Sequence, residues 1–141
     1  MGTWQVGPFD NDDAMDFFDE VEETPDPEVA PKLRRALVAI VERPGQVELS
    51  EGHVAVAAAC LVAAGRSRAA ATGNSSVDAW LTAHRPAVTA EDQRVALAAL
   101  DRVTGPDSEW MSLWATSPSG AAVEERIASL RQILNAQNLN A

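Results

Sequence analysis

Apolar residues recur along this chain at helical spacing, and the recurrence divides it into about seven segments. Ala14, Phe17, Phe18 and Val21 fall at i, i+3, i+4 and i+7, which predicts a helix from about Asn11 to Glu23. Asp10 reads as its N-cap with Asp13 at N3, and Phe9 and Ala14 take the two positions of a hydrophobic staple. Leu33, Ala36, Leu37, Ile40 and Val41 form a second stripe. That helix starts between Pro27 and Pro31, either of which suits N1, and Pro44-Gly45 stops it. Val77 to Arg85 predicts a short helix carrying Trp80 and Leu81. Thr89, with Asp92 three residues on, caps a fifth helix along Ala96, Ala99, Leu100 and Val103. Asp107 caps a short sixth helix holding Trp110, Leu113 and Trp114. Ser119 opens the last, with Val123, Ile127, Leu130 and Leu134 on one face. Val47 and Leu49 alternate with polar residues but are too few to define a strand.

One stretch departs from this amphipathic rule. His53 to Ala64, HVAVAAACLVAA, carries no charged or strongly polar side chain after His53 for three turns. No face of such a helix prefers water, so the pattern predicts a central helix over about 51–64 with its neighbours packed all round. Ser50 is the expected cap and Gly65 the expected C′ glycine. The stretch falls short of the ~20 apolar residues that span a bilayer. Residues 2–9, with Trp4, Phe9 and the Gly7-Pro8 turn, predict an ordered arm; residues 66–76 predict a mobile loop. The expected fold is all-α: residues 1–141 as one bundle of about five to seven helices around the alanine-rich one.

Composition agrees with that fold, and charge adds something to it. At 141 residues, 46% hydrophobic and 23% charged, the chain is long enough to bury a proper core. Its formal charge of −10 is uneven. Residues 1–28 hold ten of the 21 acids and no base, which leaves eleven acids against eleven bases in residues 29–141. An acidic segment repels nucleic-acid phosphate and anionic lipid, so neither nucleic acid nor membrane is an expected partner. Cys60 is the single cysteine and forms no internal disulfide. The first residues lack the basic and apolar regions of a signal peptide, and a cytoplasmic location is expected.

The acidic first helix is the most unusual candidate for function. Asp12, Asp16, Asp19 and Glu23 fall at i, i+4, i+7 and i+11, with Glu20 beside them. Like charges at this spacing cost a few tenths of a kcal/mol per pair. The face is either simply solvated, and partly neutralised by Lys32, Arg34 and Arg35 of the next helix, or a docking surface for a basic protein. A calcium loop beginning at Asp10 fails, because Ala14, Met15 and Val21 occupy its fifth, sixth and twelfth positions. His53 and Cys60 lie about 10.5 Å apart along one helix, too far for a nucleophile–base pair. Cys60 reads as a core residue. His53 reads as a first-turn residue facing solvent or a backbone group, and His84 as a cation suited to a helix end. The tryptophans at 4, 80, 110 and 114 suit core packing better than a ligand cage. No catalytic residue, metal site or cofactor is expected.

The opening GTWQVGPFDNDDAMDFFDEV resembles that of a bacterial family known as domain of unknown function 4259. Trp4, Gly7, Pro8, Phe9, Asn11, Asp12, Ala14 and Phe17 carry the likeness. Leu61 to Ala64, Ala98 to Val103, Asp107 to Glu109, Leu113-Trp114 and Leu130-Arg131 extend it over nearly the whole chain. Gln5 departs from the glycine frequent there. The resemblance implies a shared fold and no activity; Asn11 and Asp12 need do no more than cap and position the first helix. The leading expectation is a non-catalytic acidic module of the inhibitor or immunity type that binds a basic protein. The alternatives are a metal-dependent enzyme or ligand-binding protein using Asp10, Asp12, Asp13 or Asp16, and a structural or oligomer-forming domain.

Overall fold

Seven helices follow one another in the computed structural model, which describes residues 7–67 and 72–136. They are α1 (Asp12–Glu22), α2 (Asp26–Val41), α3 (Leu49–Arg66), α4 (Ser75–Ala83), α5 (Ala90–Val103), α6 (Glu109–Ala115) and α7 (Gly120–Asn135). The alanine-rich stretch runs through the middle: every residue from Ala55 to Ala64 is buried. α1, α2, α5, α6 and α7 all pack on α3. Alanines make this possible, because a side chain of one carbon lets several helix axes approach the same rod. Leu61 and Val62, fully buried, supply bulk among them. Among the described residues no helix is long and apolar enough to cross a membrane.

The outer helices bury the predicted stripes. Ala14, Phe17, Phe18 and Val21 of α1 are buried, as are Ala96, Ala99, Leu100 and Val103 of α5 and Val123, Ile127, Leu130 and Leu134 of α7. In α2, Leu33, Leu37 and Ile40 are buried and Ala36 partly so, but Val41 is 39% exposed and lies off the stripe at the helix end. Phe9 and Phe18 meet edge to face at 6.1 Å, and Phe18 meets Trp80 at 5.7 Å, which ties the arm and α4 to α1. Of the predicted arm, Gly7, Pro8 and Phe9 are described and Trp4 lies outside the described residues.

Several helix ends differ from the sequence reading. α1 is capped by Asn11, whose Oδ1 accepts from the Ala14 N–H; Asp10 instead accepts from the Gly7 N–H at 2.8 Å. Phe9 therefore sits two residues before the cap and packs on Phe18, not as a staple on Ala14. α2 begins earlier than expected, at Asp26, with Pro27 in its first turn and Pro31 inside the helix. α3 is capped by Glu48, not Ser50, through a reciprocal box with Glu51. It runs through Gly65 to Arg66, so Gly65 is no C′ residue; a Cβ there would lie 2.8 Å from the Pro86 carbonyl oxygen. Asn74 caps α4 and Ser108, not Asp107, caps α6. Ser119 precedes α7 without a side-chain cap bond. The Thr89–Asp92 box of α5 forms as predicted. Within 66–76, residues 68–71 lie outside the described set, Arg66 is helical, Thr72 is buried and Ser75 already opens α4.

Two linkers close one end of the bundle. The Val47 N–H donates to the Asp107 carbonyl and the Glu109 N–H to the Val47 carbonyl, both at 2.9 Å, which makes an isolated parallel bridge between Val47 and Ser108. Arg102 reinforces it by donating to the carbonyls of Arg43 and Gly45. The suggestion of extended backbone at Val47 thus corresponds to one bridge and no strand among the described residues.

Candidate functional site

α1 owes its orientation to its apolar stripe, and its orientation decides which carboxylates reach solvent. With Ala14, Phe17, Phe18 and Val21 turned inward, Asp12, Asp16, Asp19, Glu20, Glu22 and Glu23 are exposed. Glu20 accepts an ion pair from Lys32 at 3.1 Å, and the Lys32 ammonium also lies 5.9 Å from the centre of the Phe17 ring. Asp13 turns toward α3 and meets His53. The remaining stripe of Asp12, Asp16, Asp19 and Glu23 has no ion-pair partner among the described residues. It extends for about 16 Å at 1.5 Å per residue.

The neutralisation expected from the next helix is therefore small. Among the described residues of α2, only Lys32 reaches an α1 acid. Arg34 turns the other way and donates to Asp92 of α5 at 2.5 Å. The Asp92 hydrogen bond and charge hold the Arg34 guanidinium above its ordinary value. Arg35 is exposed and makes no ion pair among the described residues. Negative charge on α1 thus stays open to a partner.

Both histidines serve as struts for the acidic segment. His53 Nδ1 lies 3.0 Å from Asp13 Oδ2, joining α3 to α1. His84 Nδ1 lies 2.9 Å from Asp26 Oδ1, and its ring stacks on Trp80 at 5.5 Å. His53 is not a solvent-facing first-turn residue: α3 starts four residues before it, and its side chain is 13% exposed. These pairs span 40 and 58 positions in the chain, so no local spacing announces them. Cys60 is buried in α3, and burial, together with the charge of Asp78, pushes its thiol up to about 12. A thiol held protonated is no nucleophile. Among the described residues no group of three or more His, Cys, Asp or Glu side chains is gathered as a metal-ligand set.

Trp80, Trp110 and Trp114 are buried, the last two 6.4 Å apart and tilted. They serve the core, as the sequence suggests. Trp110 also walls a groove of about 420 Å³ between α6 and α7, lined by Thr104, Met111, Val123, Glu124, Ile127 and Arg131 among others. Nothing in the sequence marks this groove, because its apolar walls come from α6 and α7, where those positions read as ordinary core, with Thr104 at the end of α5 beside them.

The arrangement defines a small all-helical protein: a buried alanine-rich rod and five helices packed on it, one of which, α1, is acidic on its outer face. The chain belongs to the family described as Domain of unknown function (DUF4259), whose model matches residues 2–126. That span includes the arm, all of α1 and the start of α7. No curated protein and no solved structure matches the chain.

Proposed function

We propose that this protein acts by binding, without catalysis, and that the outer face of α1 docks on a basic surface of another protein, as an inhibitor or immunity protein would. One observation carries the reading: Asp12, Asp16, Asp19 and Glu23 form a continuous exposed stripe, and no cation of the chain neutralises it among the described residues. Such a stripe is unfavourable in the isolated protein, since neighbouring carboxylates repel along the helix. A basic partner relieves that repulsion and is steered toward it over a Debye length.

Salt-graded retention on the immobilised protein tests the proposal. A basic protein is expected to bind at about 0.05 M salt and to leave by about 0.5 M, because screening shortens the reach of exposed charge over that range. Retention of neutral proteins only, or binding that ignores salt, contradicts it. Heat and a raised melting temperature on adding calcium, magnesium or manganese would support the metal-dependent alternative instead.

A further inference from the structure

We propose that the groove between α6 and α7 binds a small amphipathic cation, an aromatic or alkyl body carrying a protonated amine. This site is separate from the α1 face and does not rest on the reading of that face. Its volume, about 420 Å³, lies within the 300–1,000 Å³ typical of small-molecule sites. Trp110, Met111, Val123, Ile127 and Ala128 give it an apolar floor and walls. Indole, thioether and branched aliphatic groups suit a flat or compact hydrocarbon body.

The polar side chains at its edge decide the sign of the ligand. The charge of Arg131 is already met: its Nη1 donates to Asp101 at 2.5 Å, and its Nη2 donates to Thr104 Oγ1 at 2.9 Å. Thr104 Oγ1 in turn donates to the Leu100 carbonyl at 2.8 Å. Glu124 is exposed and has neither hydrogen bond nor ion pair among the described residues. The one charged lining side chain without a counter-ion among the described residues is therefore a carboxylate, which accepts and does not donate. A cation completes it. An anion would face that unpaired carboxylate, on a protein of formal charge −10.

The test titrates the full chain with three probes of one shape: 2-phenylethylamine, 2-phenylethanol and 3-phenylpropionate. Binding is followed by tryptophan fluorescence and by amide shifts of the groove residues. The amine is expected to saturate, binding about two- to fivefold tighter than the alcohol, the advantage of one exposed ion pair. The carboxylate is expected not to saturate. Glu124→Gln, a change at an exposed position, is expected to keep the melting temperature and to abolish the amine's advantage. Asp16→Asn with Asp19→Asn is expected to leave amine binding intact, which separates this site from the α1 stripe. Equal binding of amine and alcohol, an unaffected Glu124→Gln variant, loss of binding with the α1 changes, or no saturation by the amine below about 10 mM, a range still inside weak ligand binding, would overturn the proposal.

Discussion

Gly52 sets the distance between two helices by lacking a side chain. It is buried in the first turns of α3, and a Cβ there would lie 2.5 Å from Trp110 Cβ on α6. Two effects oppose each other in Gly52→Ala. Alanine gains up to about 1 kcal/mol of helix propensity, while overpacking typically costs about 1–3 kcal/mol. The clash is with a Cβ, anchored to backbone and unable to swing aside, so the cost wins. Urea unfolding is expected to show Gly52→Ala less stable than the wild type by up to about 2 kcal/mol, the difference of those two terms. A neutral or stabilised variant would mean that α6 yields. The sequence gives no hint of this role, since a glycine one turn into a helix looks like a simple weakness. At the same scale it misplaces caps by one or two positions: Asp10, Ser50 and Asp107 are as good cap formers as the residues that do the work, Asn11, Glu48 and Ser108. What selects among them is where the packed stripe forces the helix to begin.

At the scale of the helix the sequence is far more legible. The stripes of α1, α5 and α7 and the apolar run of α3 each predict the buried face, because burial of a whole stripe outweighs any single cap. Pro31 and Gly65 mislead for the same reason: a helix already fixed by its neighbours runs through residues that would stop it alone. The start of α3 carries a pH-dependent element of this kind. Partial burial pushes the Glu51 carboxyl up, but the Glu48 N–H and the Arg43 guanidinium outweigh it and hold the carboxyl below its ordinary value of 4.5. A carboxylate with a depressed folded value stabilises fully above the unfolded value and loses that contribution as pH falls through the folded one. Glu51→Gln is therefore expected to melt below the wild type at neutral pH. The gap is expected to close as pH falls below that ordinary value and through the lower folded one. A gap that is constant with pH would assign Glu51 a role in shape alone.

Across the whole molecule, long-range pairs hold the bundle in register, and these are the least visible in sequence. Asp92 is 1% exposed, caps α5 through the Thr89 N–H and receives Arg34 from α2 at 2.5 Å. The α5 cap was readable from Thr89 and Asp92; the partner 58 positions away was not. Arg34→Ala leaves a buried carboxylate without its cation and is expected to cost about 3 kcal/mol. Asp92→Asn keeps a polar group at the cap and frees a half-exposed guanidinium to water, so it is expected to cost less. Chemical unfolding of the two variants checks the order, and the reverse order would contradict it.

Charge at this same scale supports the proposed binding role, since the bundle beyond residue 28 is neutral and the surplus lies on and around α1. A surface kept for a partner is one the fold does not need. The variant Asp12→Asn, Asp16→Asn, Asp19→Asn, Glu23→Gln separates the two possibilities in one comparison of partner retention at low salt between folded variant and wild type. Its fold should be as stable as the wild type's, or more so by a few tenths of a kcal/mol for each repulsion removed, less the loss of Asp12 at the helix N-terminus. The account predicts that this folded variant no longer retains the basic partner. Retention equal to that of the wild type would contradict it.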